Sequence, residues 1–352
     1  MIHDPRKMKN ISLLLALLFL WNIPFASAQF QFQSKDAEQA EREKDVSGPK
    51  LGAAQSQTWV AGVRIDAGSQ AENVYITLPI PIDWPEQKVV AVRETKIDAA
   101  LVRRLAYKMV DAGAKELIIQ VDKLRPSRPF EVIVEVELLN HELLPPDNPD
   151  NYVIPKLVPR ELKQYLEKSP LIESGDKRIL SLFNEITKDK QTDWEKVEAI
   201  YSYVQKNVHY DETTKAKLAK GALAVIADPP GQWKGDCKDM SCLFVAICRA
   251  GKIPARLVRV PEHCYAEFYL EPKDAGKPAK APTGFWFPCQ VAGSYSFGGI
   301  PERQPILQKG DSYPDRDSDN KKARYIFLKE YCEASVPIGS APPKAKFVRN
   351  LK

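Results

Sequence analysis

Beyond residue 28 the chain has no apolar run long enough to cross a bilayer as a helix, so the bulk of it is expected to be soluble, with no stable membrane insertion once the N-terminal segment is removed. It has no Cys-x-x-Cys pair. Cys237, Cys242, His263, Cys264 and Cys289 can be drawn together as a zinc site, but their gaps suit other roles, so no metal is expected. No Asp-x-Asp-x-Asp-Gly loop is present, which removes an EF-hand-like calcium site. A charge excess of one sign is also lacking: 51 basic against 46 acidic side chains gives +5, and taking away residues 1–28 (three basic, one acidic) leaves +3. That balance gives no footing for nucleic-acid binding. Six cysteines in 352 residues do not form a disulfide framework, so stability must come from burial, and a 44% hydrophobic content suffices for one large or two medium domains.

The one long apolar run is at the start. Arg6, Lys7 and Lys9 precede Ile11–Trp21, and Ala26-Ser27-Ala28 is a fitting cleavage site before Gln29. Residues 1–28 read as a signal peptide, which makes the protein exported: periplasmic, in the cell envelope, or extracellular. The rival reading, an uncleaved anchor, has a short core for a spanning helix. Residues 29–54, rich in Gln, Glu, Lys, Ala and Ser with no apolar period, read as a flexible tether.

From residue 55 to 144 the pattern is short β-rich runs between turns: Val60–Ile65, Val74–Leu78, Lys88–Val92, Leu117–Val121 and Phe130–Leu138. Leu101–Val110 fits a helix or a strand. An antiparallel β-sandwich is the expected shape. Pro145-Pro146-Asp147-Asn148-Pro149-Asp150 opens a linker, 145–158. The stretch 159–335 then reads as an α+β domain. Pro159–Lys168 and Lys177–Lys188 have helical spacing, and Thr192 with Glu195 forms a capping box before Trp194, Val197, Ile200, Tyr201 and Val204. Lys273–Pro282 and Lys309–Lys322 read as polar surface loops, Tyr325–Leu328 as a strand closing the sheet, and 336–352 as a C-terminal tail. The fold class is thus α+β, a sandwich followed by a helix-then-strand domain.

The chemistry concentrates in two segments. Gly235-Asp236-Cys237-Lys238-Asp239 opens an apolar helical run, which holds a thiol over a first turn whose unpaired N–H groups and dipole favour a thiolate. His263-Cys264-Tyr265-Ala266-Glu267 follows some twenty-five residues later. A helix from Asp236 to Arg249 descends about 20 Å at 1.5 Å per residue. Gly251 and Pro254 stop it, and Arg256–Val260 climbs back roughly 17–20 Å as a strand. Pro261 and Glu262 turn the chain, so His263 should arrive near Cys237.

These blocks, Gly235/Cys237/Asp239, then Gly251/Ile253/Pro254/Ala255/Arg256, then His263/Tyr265/Glu267, resemble the transglutaminase-like superfamily, whose papain-like core uses Cys, His and Asp. The resemblance covers roughly residues 165–300. It implies Cys237 as nucleophile, His263 as base, and a preceding sandwich that presents substrate or packs on the core. The family's Asp, in a Trp-x-Pro-x-Asp context, is replaced here: Trp286-Phe287-Pro288-Cys289-Gln290 puts Gln290 in its place. Glutamine accepts the imidazole N–H and orients the ring but supplies no charge, so a slower catalyst is expected. Glu267 is a rival orienter on the same strand face.

If His263 and Gln290 are directly opposed, Cys264 falls opposite Cys289, both pointing away from the site, as a disulfide or as two buried thiols. Cys242 and Cys248 read as small core residues. Asp236 should cap the helix, and Asp239 should satisfy first-turn N–H groups or a basic neighbour. Gln232 and Trp233 are cleft or oxyanion candidates through their side chains, or Trp233 simply packs. His209 is a second base or a histidine settled at a helix C-terminus. The implied chemistry is attack by Cys237 on a peptide or protein amide, an acyl-thioester, and hydrolysis or transfer to an amine, with no cofactor. The other reading is a lapsed member of the fold that serves as a binding or structural module of the envelope.

Overall fold

The computed structural model describes residues 48–352 except 127, 215–217, 274–282 and 294–295. The expected signal peptide, most of the expected tether and residues 274–282 lie outside the described residues.

Six antiparallel strands open the fold: β1 (Lys50–Asp66), β2 (Ala71–Ile80), β3 (Gln87–Ile97), β4 (Val102–Asp111), β5 (Ala114–Leu124) and β6 (Phe130–Leu144). Leu101–Val110 resolves as strand because its partner β5 buries a continuous apolar face. β3, β6 and β1 make one sheet; β2, β5 and β4 belong to a second. Val63, Ile65, Ile76, Leu78, Leu117, Ile119, Val132 and Val134 fill the space between them as one cluster, giving a sandwich.

The chain end completes both sheets. Lys344–Leu351 pairs antiparallel with β1, from Trp59 opposite Leu351 to Asp66 opposite Lys344, and Tyr331–Ser335 pairs with β2. The tail expected at 336–352 therefore contains an eight-residue strand. Its Lys-rich, half-exposed alternation is that of an edge strand, which reads as a solvated tail without its distant partner. At the other end, residues 50–54 of the expected tether belong to β1. The linker is also tied in, since Tyr152–Val153 pairs with Glu271–Pro272.

The second sheet runs on through the sandwich. β5 meets Gln308–Lys309, which pairs with Ala255–Val260, then His263–Pro272, Phe285–Gln290 and Ser296–Phe297. Lys309 is thus buried in a sheet rather than opening a surface loop. Among the described residues Arg324–Tyr325 pairs with Tyr313–Pro314 in a separate two-stranded sheet, so the strand expected at Tyr325–Leu328 does not close the large one. Helices Lys177–Thr187 and Asp193–Asn207 cover the helix Cys237–Ala250, while Arg160–Tyr165 forms only a short 3-10 turn where a longer helix was expected. The capping box of Thr192 and Glu195 is formed. The Cys237–Ala250 helix is buried nearly all round, which fits an apolar run with few charges. Arg249 locks its far end, donating to the Ala255 carbonyl at 2.9 and 2.7 Å and to Asp311 at 2.6 Å. Gly251 is needed here for space, since a Cβ would fall 2.0 Å from the Phe183 ring; the left-handed residue is Lys252.

Candidate active site

Asp236 takes the N-cap with extended backbone and accepts the amides of Lys238 (2.9 Å) and Asp239 (3.2 Å). Asp239 reaches back to the Asp236 amide and also accepts the Lys220 amide at 2.6 Å, so its partner is a backbone group rather than a basic side chain. Gly235 makes room for this return: a Cβ there would sit 2.6 Å from the Asp239 Cβ. Cys237 becomes the first helical residue, where N–H groups lack intrahelical acceptors and the dipole is positive. It is 3% exposed.

His263 follows the Pro261–Glu262 turn, in which Glu262 is left-handed at φ 55°. Its Nε2 lies 2.8 Å from Gln290 Oε1. The amide oxygen only accepts, so Nε2 carries the proton and Nδ1 is left to serve the thiol. Burial alone would lower the His263 pKa. Its hydrogen bond to Cys237, the thiolate charge, Gln290 and the Glu302 carboxylate together raise it above the ordinary value. The Cys237 thiol is held down to about 5, first by a hydrogen bond from Cys264, against burial, and then by His263. The arrangement stores a thiolate beside an imidazolium.

Cys264 is the residue whose role was misread. The strands pair Ala266 with Cys289, two residues away from the register that would oppose Cys264 to Cys289. All six cysteines are free, so no Cys264–Cys289 disulfide forms. Cys264 does not point away from the site. It faces the Cys237–Ala250 helix, within 4.0 Å of Ser241 Oγ, and donates to Cys237, which with burial pushes its own thiol well up. Cys242, Cys248 and Cys289 are buried thiols pushed up by desolvation.

Two further candidates are committed elsewhere. Trp233 is buried in the core and spends its indole N–H on the Asp228 carbonyl at 2.8 Å, so it offers the cleft no donor. Glu267 does not reach His263. It is fully buried between Arg256 (2.7 Å) and Lys309 (2.5 Å), whose charges hold its carboxyl below the usual range despite burial. Lys309 also pairs with Glu86 of the sandwich, and Arg256 stacks 3.9 Å from the Trp286 ring centroid. Gln232 sits exposed on the loop before the helix. His209 spends a ring nitrogen on the Gly231 carbonyl at 3.3 Å.

Sequence reasoning missed Tyr210. Val208–Tyr210 runs parallel to Trp233–Gly235, with Tyr210 opposite Gly235, two residues from Cys237. Burial and then the Cys237 charge raise its phenol. Two three-residue strands in parallel leave no periodic signal. Around His263 the surface opens into three hollows: about 470 Å³ beside Tyr210 and Met240, about 180 Å³ beside Cys237, Arg259 and Phe327, and about 280 Å³ toward the sandwich.

Comparison with known proteins agrees with this geometry. Residues 181–290 match the model of the transglutaminase-like superfamily. A protein of Haemophilus influenzae, described as an "Uncharacterized protein", is 26% identical over 196 residues, 54% of this chain and 51% of that one. The chain thus spans about half the length of the curated relative it matches. A solved structure from Cytophaga hutchinsonii, described as a "Putative Cysteine Protease", superposes with a TM-score of 0.54 at 13% identity over 85% of this chain and 99% of that one, a likeness of fold. Cys237, His263 and Gln290 all fall inside the matched span, and the chain carries a transglutaminase-like domain over residues 181–290.

Proposed function

We propose that the protein is an exported cysteine enzyme that acts on peptide or protein amides through an acyl-thioester on Cys237. The observation that carries this reading is the thiol at a helix N-terminus, held near pKa 5 by Cys264 and His263. Cys237 Sγ attacks the amide carbonyl. The imidazolium of His263 gives its proton to the leaving nitrogen, and the oxyanion forms near the first-turn N–H groups. Water or an amine, deprotonated by His263, then releases the acyl group. Gln290 fixes the ring throughout. Export rests on the charged and apolar pattern of residues 1–28. The substrate class rests on the chemistry of the pair; among the described residues no helix is long and apolar enough to cross a membrane.

A single experiment tests the reading: alkylation of Cys237 by iodoacetamide across pH, in wild type and His263→Ala. Fast labelling with a midpoint near 5, shifted upward in the variant, is the expected result. An equally inert thiol in both proteins refutes it. That outcome would favour a binding module on a lapsed fold, the reading to which the uncharged Gln290 lends support.

A further inference from the structure

The acyl-transfer steps leave one thiol at the site unused. Cys264 follows His263 on the same strand and is 1% exposed. Its Sγ lies 4.0 Å from Ser241 Oγ. Ser241 stands four residues after Cys237, one turn along the same helix face, and helical side chains lean toward the helix N-terminus. A thiol packed against Ser241 Oγ therefore sits beside Cys237, within hydrogen-bond reach of it. Cys237 thus has His263 on the side of the hollows and Cys264 on the side of the core.

The two sulfurs differ in what can reach them. Cys237 lines the hollow of about 180 Å³, several times the roughly 30 Å³ that a water occupies in the liquid, so hydrogen peroxide fits there. Cys264 is enclosed between its own sheet and the Cys237–Ala250 helix. Cys237 is also the thiolate of the pair, the form that peroxides attack. An oxidant entering the site meets Cys237 first, with a second thiol already in place behind it.

We infer that Cys237 and Cys264 form a reversible disulfide when hydrogen peroxide enters the site, with Cys264 as the resolving thiol, an inference that rests on Cys237 acting as the nucleophile. In the first step the Cys237 sulfur attacks one peroxide oxygen and the O–O bond breaks. The departing hydroxide takes the His263 imidazolium proton and leaves as water. Sulfur has given two electrons to the peroxide, and Cys237 is now a sulfenic acid. In the second step the Cys264 sulfur attacks the Cys237 sulfur, the S–S bond forms as the S–O bond breaks, and hydroxide leaves with the Cys264 proton as a second water. The first step prepares the second. The Cys237 thiolate is what most strongly keeps the proton on Cys264, through its hydrogen bond and its charge, and a neutral sulfenic acid removes that charge. The disulfide takes the attacking sulfur out of use and shields it from sulfinic and sulfonic acids, which thiol reductants do not reverse.

The test exposes reduced full-length protein to hydrogen peroxide, alkylates it with iodoacetamide in denaturant and cuts it with trypsin. Cleavage places Cys237 in residues 235–238, Cys264 in 260–273, and Cys242 with Cys248 in 239–249, so each cross-link has its own mass. The expected product joins 235–238 to 260–273, and dithiothreitol restores Cys237 to alkylation. In Cys264→Ala, dimedone should trap a sulfenic acid at Cys237, and the share of Cys237 that dithiothreitol cannot restore should be at least about fivefold that in wild type. That share is a ratio of products, so a slower first oxidation in the variant does not change it. If Cys264→Ala does not fold, the wild-type cross-link decides alone. A link from Cys237 to Cys242 or Cys248, a sulfinic acid in wild type without any link, or equal irreversible loss in both proteins overturns the inference, and rapid alkylation of reduced Cys237 then leaves the nucleophile reading standing. A Cys237 inert to iodoacetamide and peroxide alike overturns both.

Discussion

Replacing Cys264 by alanine should raise the pKa of Cys237 while leaving His263 and Gln290 in place. The Cys264 thiol is the largest of the influences that hold Cys237 at about 5, because a buried S–H aimed at a thiolate favours the charged form. A hydrogen bond to a charged group contributes about 1.5–3 kcal/mol, and sulfur donors fall at the low end. At about 1.4 kcal/mol per pKa unit, its loss moves the alkylation midpoint from about 5 to between about 6 and 7. Cys264→Ser retains a donor and should fall between the two. The assay is the pH dependence of iodoacetamide modification at Cys237, read by peptide mass, since the other cysteines are buried or pushed up in pKa. An alanine variant with an unmoved midpoint and an unchanged fold would refute the idea that the neighbouring thiol, rather than His263 and the helix end alone, sets the nucleophile.

Gln290→Glu, isosteric with the amide, places a carboxylate at the position 2.8 Å from His263 Nε2, which should raise the His263 pKa further and extend the thiolate-imidazolium window upward in pH; a pH profile of alkylation or amide turnover that does not widen counts against it. Lys309→Met leaves Glu86 and Glu267 buried without their shared cation, and should cost about 3–5 kcal/mol in urea unfolding. The same network predicts an acid limit. The folded pKa of Glu267 lies below its ordinary 4.5, so its stabilisation is complete above about 4.5 and is lost as pH falls through the lower folded value. Glu267→Gln should flatten that limb of the stability curve while lowering stability at neutral pH.

The Cys237–Ala250 helix, its cap, the Gly251–Arg256 corner and the return to His263 were legible because each is local: an N-cap aspartate, an apolar run, a breaker and a β-rich run within thirty residues. Cys264 was not. Cys264 shares a strand face with Cys289 in either register, since a two-residue shift flips no side chain; what local pattern does not carry is that the Cys237–Ala250 helix packs on that face. His263 lies beyond the paired stretch, so Gln290 reaches it diagonally. Trp233 and Glu267 were misjudged because their partners, the Asp228 carbonyl and the Arg256–Lys309 pair, are set by tertiary packing. The strand Lys344–Leu351 was hidden for the same reason, its partner lying almost the whole chain away.

That last pairing has a bearing on how the molecule is made. β1 has β6 on one side and Lys344–Leu351 on the other, so the sandwich has an open flank until nearly the entire polypeptide has been synthesised. Contacts of such sequence separation pay their loop-closure entropy late and slow the search. A ribosome-bound chain truncated before residue 344 thus exposes a pairing-competent edge along β1.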